Sequence, residues 1–193
     1  MTFYSQNFEA KKFNKIACAG EDLSGKEFSD CVFEKCDFSG CKFIGALFVN
    51  CRFIGCNLSN IRVDNCGFQG VGFENSKMLG VIFAGINSFL IKWDFKKCGI
   101  ELCDFNRMNI KKTRFIECAI RETDFTDANL ADSDFSGSDL AVSKFQNTNL
   151  ERVDFRHAKN YYIDPAHNKL KGARFSYPEV LSLLSGSGIE VEY

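Results

Sequence analysis

The sequence predicts an all-β fold, one parallel solenoid of four-cornered coils closed by a short C-terminal α-helix. Three observations predict it. Large apolar residues, mostly Phe, recur every five positions through most of the 193 residues. The residue two places before them is usually small, as at Cys31, Cys36, Cys41, Ala46, Cys51 and Cys56. Gly or Asn is frequent two places after, as at Gly40, Gly45, Asn50 and Gly55. A period of five fits neither a helix nor a flat strand, so the backbone has to turn a corner once per repeat. Gly and Asn tolerate the positive φ that such corners need. The large residue and the small one two before it lie on the same side of an extended segment and face the core; the other three face water. Four corners make one coil of about 20 residues, stacked on the next at about 4.8 Å. Roughly eight coils give a rod about 40 Å long.

The first frame starts at Phe3 and runs through Phe8, Phe13, Cys18, Leu23 and Phe28 to Phe83, and only Cys18 is not large and apolar. Residues 84–89 then shift the frame by two, which reads as a bulge or kink between two stacked segments. The second frame starts at Leu90 and alternates Phe with Leu or Ile from Phe95 to Phe155. Alternation in a four-cornered coil puts Phe on two opposite faces and aliphatics on the other two. Residues 157–169 leave the repeat, and Leu170 and Phe175 re-enter it. The solenoid therefore takes residues 1–175, and 176–193 form a capping or dimerising helix and tail. Ser176 and Glu179 match a capping box, and Pro178 is tolerated in a first turn. Val180, Leu181, Leu183 and Leu184 supply the apolar face, Gly186 the stop, and Ile189 and Val191 a possible added strand. This segment has to cover the open end of the rod, because an unpaired edge invites aggregation. The same apolar face suits dimerisation.

Nine of the ten cysteines occupy the small inward position, and Cys18 stands at a centre. They read as small buried side chains and as free thiols. Zinc is disfavoured because neighbouring small positions lie on different faces. Disulfides between stacked residues, such as Cys31 with Cys51, are disfavoured by parallel Cβ vectors.

Charge is nearly balanced, at 24 Lys and Arg against 25 Asp and Glu. That excludes a general polyanion binder, and direct nucleic-acid binding is not expected. Along the chain the charges are banded. Lys92–Arg114 and Lys144–Arg174 are basic, and between them lie Glu117, Glu122, Asp124, Asp127, Asp132, Asp134 and Asp139 with Arg121 the one cation. This acidic band, about one coil high, is either a solvated, salt-bridged surface or a binding stripe for a basic groove. Ile44, Leu47, Val49 and Ile54 fall at outward positions and form a possible apolar contact. Only two His are present, both in the irregular C-terminal segment. The glycines form no phosphate-cradling loop. No catalytic constellation, metal-ligand cluster, cofactor motif or small-molecule pocket is expected, so the chain does not read as an enzyme. Met1–Ala10 do not read as a secretory leader and no stretch is long and apolar enough to span a bilayer, so a cytoplasmic location is expected.

Runs such as AlaAsnLeuAlaAsp (128–132) and SerAspPheSerGly (133–137) resemble the pentapeptide-repeat proteins over about residues 3–175. The resemblance implies a right-handed quadrilateral β-helix. In size, tandem architecture and C-terminal helix the chain looks like the bacterial branch that protects DNA gyrase or topoisomerase IV from quinolones, in a form without projecting loops. The resemblance implies mimicry of DNA by a negatively charged rod and two-fold dimerisation through the C-terminal helix. The other reading of the residues is a generic interaction scaffold for an unknown protein partner.

Overall fold

Backbone ladders between residues 20 apart build the molecule. A computed structural model of the chain describes residues 3–185 and residue 189. Its strands are three or four residues long, with two shorter ones near the C-terminal end, and all pair in parallel. The coil has four faces. On the first, Asn7–Glu9, Glu27–Ser29, Leu47–Val49 and Gly67–Gln69 make one sheet. On the second, Lys12–Asn14, Val32–Glu34, Arg52–Ile54, Val71–Glu74, Trp93–Lys96 and Arg114–Ile116 make another. Lys77–Leu79, Gly99–Glu101 and Ala119–Arg121 lie on the third. The fourth is held by single bridges such as Asp104 to Asp124 and Asp124 to Lys144. This is a right-handed quadrilateral parallel β-helix of about eight turns.

The corners show why five residues suffice. The residue two after nearly every centre takes a positive φ, Gly85 after Phe83 being an exception, and most are not Gly: Lys97, Glu122, Asp132 and Val142 have φ of 53, 48, 61 and 60°. The left-handed region costs an L-residue roughly 1–2 kcal/mol, so ladder and core override local preference at these corners.

The core is a set of ring columns. On the second face Phe13, Phe33, Phe53, Phe73, Phe95, Phe115, Phe135, Phe155 and Phe175 stack with centroids 4.7–5.3 Å apart. On the opposite face Phe83, Phe105, Phe125 and Phe145 stack at 4.7–5.1 Å. Rings of the two columns meet edge to face, as Phe105 and Phe115 do at 6.2 Å and 86°. The expected Phe and aliphatic columns of the second half are therefore present. In the first half the second column stands on the first face instead, through Phe8, Phe28, Phe48 and Phe68.

The column changes face at the frame shift. Phe83–Gly85 make a 3₁₀ turn, and Asn87 stays in register with Gly67. The chain then loops out and returns with Trp93 opposite Val71, at a spacing of 22 rather than 20. Trp93 is buried against Phe68, Phe83, Phe95 and Phe105 and donates its Nε1–H to the Phe68 carbonyl at 3.0 Å. Its indole continues the column that ends at Phe68. Leu90, expected as a centre, is instead 63% exposed with φ 55°. The two extra residues therefore enter between Asn87 and Trp93, not within 84–89, and the second frame begins at Phe95, with Trp93 at a position where small residues usually stand.

That small position often has a second role besides filling space. In several coils its hydroxyl or thiol donates to the carbonyl of the centre one coil below, as Cys51 to Phe28, Ser76 to Phe53, Ser138 to Phe115 and Thr148 to Phe125, whereas the buried Thr113 hydroxyl has no partner among the described residues. A serine there also accepts from the amide 20 residues earlier, as Ser138 does from Cys118 at 2.9 Å. Asp or Asn one place before the centre accepts from the amide two residues on, as Asp37 does from Ser39 and Asp124 from Thr126. These side-chain turns explain the recurrence of Asp and Asn. All ten cysteines are buried free thiols. Burial pushes the Cys51 thiol up to about 12 and the Cys103 thiol up to about 11.

The C-terminal segment departs from expectation. Glu179–Leu184 form a 3₁₀ turn, not an α-helix, after Pro178, and no side chain caps it. Ser176 does not close a capping box; its Oγ accepts from the His157 amide at 3.2 Å. Six residues are too few to nucleate an independent α-helix, and the segment follows the rod end, with Leu183 packed on the core. Gly186 and Val191 lie outside the described residues. At the other end Phe3 is 4% exposed and covers Phe8, Phe13 and Phe28.

Two outcomes follow from the core. Ser138→Ala strands the Phe115 carbonyl and Cys118 amide and costs about 1–3 kcal/mol in denaturant unfolding, whereas Ser138→Cys costs less. Ellman's reagent reacts slowly with the native chain and titrates ten thiols per chain after denaturation.

Candidate interaction surface

The acidic band maps onto every side of the rod. Glu117, Glu122, Asp127 and Asp132 stand at four successive corners, each with positive φ. Asp124, Asp134 and Asp139 stand on the fourth, second and third faces, in the bridges Asp124 to Asp104, Asp134 to Arg114 and Asp139 to Ala119. The band is thus a ring one coil high, because 23 consecutive residues from 117 to 139 exceed one circuit. No face presents all seven residues.

Most of the ring is charge-compensated by the coils above and below. Glu117 meets Lys97 at 3.5 Å, Asp127 meets Arg107 at 3.6 Å, and Asp132 meets Arg152 at 2.6 Å. Asp139 holds Arg121 at 3.3 Å and accepts from Asn160 at 2.8 Å. Arg152 holds the Asp132 carboxyl below its usual range. For Asp139 burial opposes the charge, but Asn160 and Arg121 still keep its carboxyl low. Solvent screens these exposed pairs, so they add little to stability. Asp124 and Asp134 also serve as turn formers, accepting from Thr126 and Ser136. The side with the greatest acidic excess is the fourth face, where Asp104 and Asp124 stack between corners occupied by Glu122 and Asp127.

Ile44, Leu47, Val49 and Ile54 are half-buried and spread over three faces. Leu47 and Val49 flank Phe48 on the first, Ile54 follows Phe53 on the second, and Ile44 follows Phe43 on the fourth. They do not make one patch. The apolar surface that sequence reasoning missed lies at the frame shift. Phe89 and Leu90 are 64% and 63% exposed, and Leu90 and Ile91 join Val49 around a recess of about 320 Å³. Phe89 signalled it, as the one Phe outside both frames.

Val180, Leu181, Leu183 and Leu184 are half-buried over the C-terminal end. Beside them Tyr161 is buried between Phe155 and Phe175, and burial pushes its phenol up to about 12. Asp154, 5% exposed, is held by Arg156 at 2.7 Å and Arg174 at 3.1 Å, and its carboxyl is depressed chiefly by the Arg156 bond. Among the described residues no group of His, Cys, Asp and Glu could hold a metal ion. No helix among them is long and apolar enough to cross a membrane.

Comparison with known proteins gives a consistent picture. A family profile described as "Pentapeptide repeat region" matches residues 26–92 and 89–175, the two matches meeting at the frame shift. Among solved structures, a trypsin-treated variant of QnrB1, a plasmid-mediated fluoroquinolone resistance protein, superposes with TM-score 0.67 at 19% identity over 94% of this chain and 100% of that one. A second trypsin-treated variant gives 0.57 at 20% identity over 100% and 94%. At such identities the likeness is one of fold. No curated protein matches the sequence.

The depressed carboxyl of Asp154 sets a pH dependence. A group depressed on folding contributes stability that is present above its unfolded pKa, about 3.9, and lost as pH falls through the folded value. Asp154→Asn therefore lowers the melting temperature at pH 7, and the gap from the parent protein closes as pH falls below about 4.

Proposed function

The chain belongs to the pentapeptide-repeat family, and from that premise we propose that it is a non-enzymatic rod that docks on another protein, DNA gyrase or topoisomerase IV, and shields it from quinolone-type poisons. The supporting observation is the end-to-end likeness to QnrB1, which takes in all of the trypsin-treated chain and leaves 6% of this one unmatched. A core filled by rings and small side chains leaves the outer surface as the place where function resides.

The contact proposed is the acidic side of the rod, centred on Glu122, Asp124 and Asp127 on the fourth face. It faces a basic DNA-binding groove as a limited patch, since Lys97, Arg152 and Arg121 compensate the rest of the ring, and within the patch Asp127 is itself paired with Arg107. Glu117, Asp132, Asp134 and Asp139 belong to other faces and take part only if the partner wraps the rod. Dimerisation through Val180, Leu181, Leu183 and Leu184 is part of the proposal and doubles the length of the rod.

A second reading, a scaffold for a different protein partner, is favoured by one observation. The surface is a patchwork of paired charges with a formal net charge of −1, not a continuous acidic face.

Purified protein titrated into a gyrase supercoiling assay distinguishes them. Micromolar protein is expected to restore supercoiling in the presence of ciprofloxacin, or to inhibit it without the drug, and Glu122→Lys with Asp127→Lys should weaken either effect. Absence of any effect on gyrase and topoisomerase IV leaves the scaffold reading.

A further inference from the structure

A basic groove lies on the second face, on a different side of the rod from the acidic patch. Along this face the outward position before each centre reads Lys12, Val32, Arg52, Gly72, Asp94 and Arg114 in coil order. Gly72 is a missing tooth in that row. A Cβ built there would first meet Arg52 Cγ at 3.9 Å, so the space above the glycine is open. Gly70, at the adjoining corner with φ 65°, lines the same space, and Asn50 Oδ1 fills the position where its Cβ would stand. The result is a groove of about 540 Å³ whose walls carry Arg52, Lys92, Lys96, Lys112 and Arg114 against Glu74 and Asp94.

Five cations against two anions give the walls an excess of three positive charges. Arg52 is paired to Glu74 at 3.5 Å and Arg114 to Asp94 at 2.9 Å. Lys92, Lys96 and Lys112 are exposed and form no ion pair with a described residue. The two-residue insertion supplies Lys92 and shapes the rim. It also makes the apolar recess of Val49, Leu90 and Ile91, which shares Gly70 and Lys92 with the groove. One continuous surface thus offers an apolar pocket beside a cationic channel.

The geometry points to a docking site for a short extended acidic segment of a partner protein, with an apolar side chain seated between Val49 and Leu90 and carboxylates lying along Lys92, Lys96 and Lys112. Charge complementarity selects an anionic occupant, and the adjoining recess selects one with an apolar anchor. A nucleic-acid backbone fits less well. The cationic stretch from Arg52 to Arg114 covers three coil steps, about 14 Å, and Asp132 and Asp134 close its upper end. The inference does not depend on which protein the acidic face meets.

The probe is a fluorescein-labelled peptide of about twelve alternating Leu and Glu residues, read by fluorescence anisotropy against the intact protein. Saturable binding is expected that weakens about tenfold as salt rises from about 50 to 500 mM. It should weaken at least tenfold in the Lys92→Glu/Lys96→Glu double variant and fall in Gly72→Leu, which fills the groove. Lys159→Glu on the third face should leave it unchanged, and circular-dichroism melts confirm that the variants fold. The proposal is overturned by four results. These are no saturable binding, equal loss in Lys159→Glu, tighter binding of an oligothymidylate of the same length, or a change in sedimentation of the free double variant, which would make the occupant a second copy.

Discussion

Coil-on-coil stacking at the parallel-strand spacing is the constraint from which the rest follows. Each inward side chain sits directly above its counterpart one circuit earlier, so neighbouring coils have to agree residue by residue. Rings satisfy this by lying nearly parallel, as Phe95 and Phe115 do with planes 1° apart. Small inward residues such as Cys51, Ser76, Ser138 and Thr148 satisfy it by handing a hydrogen bond down to the coil below. The corners accept an unfavourable φ at Lys97, Glu122 and Val142 because leaving the ladder would cost both. Surface residues are free of this requirement, and there the sequence varies most.

That freedom explains the charge pattern. A run of like charges along the chain becomes a ring around the rod, and the runs before and after it become rings of opposite sign one coil away. Ion pairs such as Asp132 with Arg152 are the result. Surface electrostatics in a solenoid are thus read down columns, not along the chain. Read this way, the fourth face carries an acidic patch and the second a basic groove.

How much was legible in the sequence follows from the same distinction. The four faces, the Phe columns of the second half and the free thiols were legible because a backbone period dictates them. The donor role of the small position was not, since Cys, Ser and Thr look equivalent to Ala by size. Leu90 was misplaced because a two-residue insertion can enter at several points of one coil, and only the packing of Trp93 over Phe68 decides which. The capping box at Ser176 failed because its hydroxyl had a better use on His157. The groove was illegible because it depends on Gly72 standing above Arg52 and below Asp94, residues 20 and 22 positions away.

The buried indole at the frame shift has a further consequence. Trp93 is the only tryptophan in the chain, and it touches rings from coils on both sides of the insertion. In a one-dimensional array each unit is stabilised by its neighbours alone, so the two halves can lose order separately. Selectively excited tryptophan emission therefore reports on the seam alone, while absorbance, dichroism and tyrosine emission average over the rest of the rod. The irregular coil gives the molecule a built-in optical gauge of whether its halves behave as one cooperative unit.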